Sequence, residues 1–312
     1  MKILVLGSSG RLGNYITNFL LDNNYQVLGH LRNNKQDVNF NKKIEFMHID
    51  INTKINDLNF DINSIDFIIN CVVETKNVKL MDKSNILFLK KIIDLFADGS
   101  KNHFTLIHFS TIGIFSQNNS KYINQDSIAK PSNYYEKTKN ESEKLIKYYS
   151  EKLNNMSYFI FRLGIVYGPT IDNNIINGFI KLAKNKTLFR VKDTFCPFID
   201  IRDVVKFIEL CFQNKILKNN SYILTENYQL DHIIDALKKK FIQKQRIITL
   251  NKFILFIIFK FLSFFSNKIN IQQYIFFSSS KIFYDNRISG YSKNLKKYNL
   301  IEYIKNELNN EK

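Results

Sequence analysis

The sequence predicts an α/β protein built on a doubly wound parallel sheet, and three observations carry that expectation. A short apolar run, Lys2-Ile-Leu-Val-Leu-Gly7, ends at a glycine and leads into helical periodicity over residues 12–22. Further short apolar runs recur at Gln26–His30, Ile44–Ile49, Phe67–Val73, Thr105–Ser110 and Tyr158–Leu163, the pattern of strands buried on both faces. Helical patterns occupy residues 84–97 and 133–152 between the later runs, and strands alternating with helices build parallel crossovers.

Each part of the chain fits that frame differently. The first run reads as a buried strand, because it lacks the long apolar region and cleavage site of a secretory leader. Beyond about residue 170 the strand-helix alternation loosens. The expected division is therefore residues 1–170 and a smaller mixed lobe of residues 171–312, interleaved with the first. That lobe would cover the carboxyl ends of the strands, where open α/β sheets bind ligands. The run Phe253-Ile-Leu-Phe-Ile-Ile-Phe-Lys-Phe-Leu-Ser-Phe-Phe265 is shorter than the ~20 residues that span a bilayer, and Lys260 interrupts it. Three readings stand for 253–265: a buried helix of the second lobe, a helix lying at a membrane surface, or a dimer contact.

Composition removes several classes. The 312 residues are 45% hydrophobic, enough for a sizeable core. Three cysteines, Cys71, Cys196 and Cys211, form no CxxC and no Cys/His cluster. No metal site and no disulfide scaffold is expected, and the compartment expected is reducing and cytoplasmic. Forty-five Lys and Arg against 28 Asp and Glu leave a net charge of +17. A basic chain can serve nucleic acid, membrane or small anions. Here no nucleic-acid recognition motif accompanies the charge, so nucleic acid is not an expected partner. Abundant Asn, Lys, Ile and Phe with no Trp also fit a compositional bias on a solvated surface.

The glycine turn supplies the first chemistry. Gly7-Ser-Ser-Gly10-Arg-Leu-Gly13 follows the first strand and opens the first helix, so backbone and helix N-terminus can meet a pyrophosphate. This makes a Rossmann-type dinucleotide domain the expectation, with Gly7, Ser9, Gly10, Arg11, Leu12 and Gly13 on the cofactor. The spacing is GxxGxxG rather than GxGxxG. At the end of the second strand, Arg32 stands near where an acidic residue usually holds the ribose 2′-hydroxyl. Arg32 and Arg11 suit a 2′-phosphate, so NADP(H) is favoured over NAD(H); both could equally be surface arginines. Asp50 follows the third strand and either accepts from an adenine amino group or caps a helix. Ile51, Cys71 and Val72 complete the expected cofactor wall.

A catalytic group can be read from Tyr135 and Lys139, which share a helix face at i and i+4. A neighbouring ammonium favours tyrosinate and would lower the pKa of Tyr135, suiting it to move a proton at a carbonyl/alcohol pair. Lys139 could also bond the nicotinamide ribose. Asn133 and Glu136 have capping-box spacing, which starts the helix just before Tyr135. Tyr134 has no Lys four residues on. At the end of the fifth strand Thr111 could bond a substrate oxygen, with Ser110 as the alternative and backbone capping as the structural use of either.

These pieces, with Asn85, Arg162-Leu-Gly-Ile-Val-Tyr-Gly-Pro169 and Phe198-Ile-Asp-Ile-Arg-Asp203, resemble in order and kind the extended short-chain dehydrogenase/reductases, the NAD-dependent epimerase/dehydratase group. The resemblance implies Thr111 as a donor to substrate, Tyr135 as acid/base, Lys139 as its modulator and ribose ligand, and Arg162 and Asp203 as architectural. It implies a nucleotide-sugar substrate and, commonly, a homodimer. Dehydratases of the group follow the Thr with Asp-Glu; here Ile112-Gly113 stand instead. Epimerases and dehydratases often have Asn where Ile165 stands. The pattern is most similar to the dTDP-4-dehydrorhamnose reductase type. The expectation is thus reduction of a keto group on a nucleotide-activated deoxysugar. The alternatives are a nucleotide-sugar epimerase and a non-catalytic dinucleotide-binding scaffold.

Overall fold

A computed structural model describes residues 1–31, 40–171, 174–183, 187–240, 246–254, 279–288, 290 and 298–310, together with Ile257 and Lys260. The first apolar run is β1 (Lys2–Leu6), and the glycine turn feeds α1 (Arg11–Asp22). Next come β2 (Gln26–His30), β3 (Glu45–Met47) and β4 (Phe67–Asn70). A helical segment then runs as α2 (Val78–Met81), a π-helical turn (Asp82–Leu87) and α3 (Phe88–Gly99). After it lie β5 (Phe104–Thr111), β6 (Tyr122–Ile123), α4 (Tyr134–Lys152) and β7 (Met156–Leu163).

Seven parallel strands form the main sheet, in the order β3-β2-β1-β4-β5-β7 with a strand from residues 220–224 at the far edge. The chain reverses direction across the sheet between β1 and β4, which opens a crevice at their carboxyl ends. Alternation along the strands supplies both cores. Ile3, Val5, Ile107, Phe109 and Phe161 face Ile16 and Leu20 of α1. Leu4, Leu6, Ile68, Leu106 and Ile160 face Leu89, Ile92 and Phe96 of α3 and Ile146 of α4. Each such buried side chain contributes about 1.5–3 kcal/mol. This is the doubly wound sheet that the sequence predicts.

The remaining elements are β8 (Ile165–Tyr167), α5 (Asn174–Ala183), β9 (Thr187–Val191), β10 (Phe195–Asp200), α6 (Ile201–Phe212), β11 (Asn220–Leu224), β12 (Glu226–Gln229), α7 (Leu230–Lys240), β13 (Arg246–Leu250), β14 (Ile282–Phe283) and α8 (Leu300–Asn310). A mixed three-stranded sheet, β12-β10-β8, pairs β10 parallel to β8 and antiparallel to β12. Its core joins Tyr167, Phe179, Phe198, Ile233 and Ile304. Two elements of this part of the chain return to the main sheet: α6 packs beside α1, and β11 is the edge strand. Among the described residues no helix is long and apolar enough to cross a membrane.

Two boundaries differ from the sequence pattern for local reasons. The fourth strand stops at Asn70 instead of Val73, because the Asn70 Oδ1 accepts from Val72 N–H at 3.1 Å and turns the chain. The helix expected from residue 84 begins at Val78, where Asn77 accepts from Lys79 N–H. The π-helical turn inserted at Asp82–Leu87 shifts the apolar phase and hides the continuity.

Gly13 sets how closely α1 approaches β1: a Cβ there would stand 2.1 Å from the Gly7 carbonyl oxygen. Gly13→Ala is expected to lower stability by about 2 kcal/mol or more, read from the urea unfolding midpoint.

Candidate active site

A cavity of about 830 Å³ lies over the carboxyl ends of β1, β2, β4, β5 and β7. Its wall includes Gly7, Ser9, Gly10, Arg11 and Leu12 from the turn, and Asp50 and Ile51 after β3. Cys71 and Val72 after β4, and Thr111, Tyr135 and Lys139, complete the group. The structure thus brings together twelve of the fourteen residues singled out in the sequence. Gly13 is not in the wall; it acts behind it, through the tight contact with Gly7. Arg32 lies outside the described residues.

Gly7 takes a positive φ of 72°, and Gly10 starts α1 with no side-chain cap on the helix amides. The helix N-terminus and its partial positive charge therefore open on the cavity. His30, which sequence reasoning passed over, locks this turn. Its Nδ1 accepts from Gly7 N–H at 3.1 Å, so its Nε2–H donates to Ile49 O at 2.9 Å. Its carbonyl accepts from both Ser8 N–H and Ser8 Oγ. Burial pushes the His30 pKa down to about 4, with the Ile49 carbonyl opposing, so the ring stays neutral and the acceptor persists. The only sequence signal was a polar residue closing an otherwise apolar strand. Asp50 does not cap a helix: its carboxylate accepts from Asn52 N–H at 2.7 Å and closes a turn.

The capping box forms as spaced. Glu136 N–H donates to Asn133 Oδ1 at 3.0 Å, and the Glu136 carboxylate accepts from Asn133 N–H at 3.4 Å. Starting there, α4 carries Tyr135, Lys139 and Glu143 on one face, four residues apart. Tyr134 points elsewhere, donating to Asp82 at 2.6 Å on the surface. Lys139 is 3% exposed and its Nζ donates to Phe109 O at 2.7 Å. Burial lowers its pKa to about 8, against the pull of Cys71 and Glu143. The Tyr135 pKa is raised to about 12, first by burial and then by Glu136. The expected lowering by Lys139 is absent here, since that ammonium is held by a carbonyl and is itself pushed toward neutrality.

The choice between the two hydroxyls is made by their partners. Ser110 also lines the cavity, but its Oγ donates its proton to Glu143 Oε1 at 2.6 Å. Thr111 Oγ1 accepts from Gly113 N–H at 3.0 Å, which caps a short 3-10 turn and leaves its O–H to donate toward the cavity. Glu143 also receives a fork from Arg162, with Nη2 to Oε2 at 2.8 Å, and both side chains are nearly out of water. Asn85, in the π-helical turn, donates to Thr138 Oγ1 at 3.0 Å, and Thr138 Oγ1 donates to Tyr135 O at 2.8 Å. Asn70 Nδ2 meets His108 Nδ1 at 3.1 Å beneath the cavity.

A strand-turn-helix glycine cradle, a catalytic-type Tyr/Lys pair and a seven-stranded parallel sheet define a class of dinucleotide enzymes. The model of the NAD dependent epimerase/dehydratase family matches residues 3–224, and the chain belongs to that family. It is an NAD(P)-dependent enzyme of the extended short-chain dehydrogenase/reductase type. A protein of Methanocaldococcus jannaschii named "Putative UDP-glucose 4-epimerase" is 26% identical over 234 residues, 69% of this chain and 75% of that one. Among solved structures, the UDP-glucuronic acid 4-epimerase of Bacillus cereus with NAD superposes with a TM-score of 0.68. Identity there is 19%, covering 99% of this chain and 100% of that one. WbmH of Bordetella bronchiseptica with NAD+ gives a TM-score of 0.68 at 14% identity, covering 97% and 95%. At these identities the likeness speaks to the fold.

Two outcomes follow from the site. Lys139 is cationic below its lowered pKa and neutral above it. Dinucleotide affinity is therefore expected to fall several-fold as pH rises from about 8, by fluorescence titration, and Tyr135→Phe is expected to keep that limb. Arg162→Leu leaves the Glu143 carboxylate buried without its fork and is expected to cost about 3–5 kcal/mol in urea unfolding.

Proposed function

We propose that the chain epimerises a nucleotide-linked sugar at a carbon bearing a hydroxyl group. Supporting this are the family, the epimerase names carried by its relatives, and above all Tyr135, Lys139 and Thr111 meeting in one cavity wall. The wall fits a dinucleotide: a Cβ at Gly13 would overlap the Gly7 carbonyl, and α1 has no side-chain cap. Gly7, Ser9, Gly10, Arg11 and Leu12 would hold its phosphates, Asp50 and Ile51 its adenine end, and Cys71, Val72 and Lys139 its nicotinamide ribose. When bound, an oxidised nicotinamide would accept a hydride from the substrate carbon and give it back. Tyr135 Oη holds and returns the proton of the substrate hydroxyl. With its pKa raised to about 12 by burial, the phenol must lose its own proton before it can take that of the substrate hydroxyl, and a nearby ammonium favours that loss. Thr111 donates a second bond and fixes the oxygen's orientation. Lys139 binds the ribose and, once drawn from Phe109 O, stabilises the tyrosinate.

The second reading is reduction of a ketosugar with NADP(H), the sequence expectation. Its support is Arg11 in the cavity wall, a cation suited to a 2′-phosphate. A homodimer through α4 and the neighbouring helix is part of the proposal; Tyr148 and Leu87 are exposed there.

Purified chain is to be incubated with UDP-sugars and catalytic NAD. Interconversion of sugars without net cofactor turnover is the expected result. Stoichiometric oxidation of NADPH by a 4-keto sugar nucleotide, without interconversion, replaces this reading with the reductase. Tyr135→Phe is expected to lower kcat by roughly 10²–10⁴-fold while dinucleotide binding persists.

A further inference from the structure

The strand β14 and the residues on either side of it form a strap that ties the smaller lobe to the loops around the site. Phe195 N–H donates to Ser279 O at 2.9 Å, Ile282 N–H to Lys121 O at 2.8 Å and Tyr284 N–H to Ile123 O at 3.0 Å. The Asn227 amide brackets Phe283, donating to its carbonyl at 2.7 Å and accepting from its N–H at 2.9 Å. The Phe283 side chain is buried in one cluster with Ile112, Ile114, Phe115 and Ile123. With its neighbours fixed in this way, Lys281 is held half-buried at one place beside the site.

Lys281 meets two segments there. Its Nζ donates to Ser116 O at 2.9 Å, at the end of the 3-10 turn that starts after Thr111. Ser116 Oγ donates to the Glu136 carboxylate at 2.5 Å, and Ser132 adds its N–H at 2.7 Å and its Oγ at 2.9 Å. Glu136 also packs on the turn: a Cβ at Gly113 would stand 3.1 Å from the Glu136 side chain and 3.3 Å from Thr111 Oγ1. One carboxylate thus joins the residue beside Tyr135 to the turn beside Thr111. Lys281 is the cation that acts on it, since the Glu136 charge raises the Lys281 pKa against the lowering by burial. Glu136 in turn raises the Tyr135 pKa, after burial. Lys139, the cation on the Tyr135 face of α4, is bonded to Phe109 O.

We propose that Lys281 is a positioning residue for the reaction, supplied by the smaller lobe: it offsets the Glu136 charge beside Tyr135 and fixes the turn that presents Thr111. This rests on Tyr135 acting as the acid/base, in the epimerase and the reductase readings alike. A tyrosinate one residue from an uncompensated carboxylate in a partly dry site is disfavoured, because like charges repel more strongly at low dielectric. A cation paired with that carboxylate weakens the repulsion. Lys281 is outside the cavity wall, so it does this without touching the ligand. The smaller lobe thereby takes part in the chemistry as well as in binding.

The test is steady-state turnover at neutral pH with saturating dinucleotide, read as sugar interconversion or, where the chain proves a reductase, as NADPH oxidation. Lys281→Met is expected to lower kcat roughly fivefold or more, with KM and dinucleotide Kd within about twofold and the melting temperature nearly unchanged. Lys281→Arg keeps the charge and the donor and is expected to restore kcat. In a Glu136→Gln background the carboxylate is gone, so Lys281→Met is expected to cost only about twofold, the share of the lost Ser116 bond. That non-additivity separates a charge effect from loosened packing. The proposal is overturned if Lys281→Met leaves kcat unchanged, if Lys281→Arg is as slow as Lys281→Met, or if Lys281→Met costs the same in both backgrounds. A wild-type chain that turns over neither kind of substrate overturns the functional reading and this role together. One that turns over but is indifferent to Lys281 overturns this role alone.

Discussion

Glu143 is a carboxylate on α4 with almost no contact with water, and a charge so placed needs partners on every side. It finds them in the Arg162 fork from β7 and the Ser110 hydroxyl from β5. Those bonds clamp α4 across two adjacent strands at a single register. One helical turn earlier, Lys139 reaches the Phe109 carbonyl; a further turn earlier, Tyr135 reaches the cavity wall. Thr111 leaves the same strand one residue beyond Ser110. The spacing between the groups proposed to act on substrate is thus inherited from a salt bridge that touches none of it.

The cofactor side depends on the same economy of buried polar groups. His30 holds the Gly7 turn with a ring kept neutral by burial, and Asn70 turns the chain after β4 while bonded to His108. Burial also holds the His108 imidazole well below its ordinary pKa. Both histidines use a lone pair that protonation would remove. The two loops that wall the cavity are therefore set by uncharged imidazoles, and the positive groups are left to the ligand side, at Arg11 and Lys139.

Much of this was legible in advance because the signals are local. Strand runs carried their burial in composition, the capping box carried the start of α4, and glycines carried the turn. The π-helical turn at Asp82–Leu87 was not legible, because an inserted residue breaks the 3.6 period that identifies a helix. His30 and His108 were not either: a histidine in a strand looks the same whether or not a donor from a distant loop meets it. One neighbour in sequence suggests a lowered Tyr135 pKa, but burial, a sum over the whole surroundings, raises it instead.

By itself the sequence determined the alternation of strand and helix, the glycine cradle and the Tyr/Lys spacing, since each follows from contacts within a few residues. Tertiary structure decided which hydroxyl has its proton engaged by Glu143, which way the Tyr135 and Lys139 pKa values move, and that residues 220–224 complete the first sheet. Those depend on groups brought together from positions far apart in the chain. Hydrogen-bond partners and burial are properties of the assembled fold rather than of any segment.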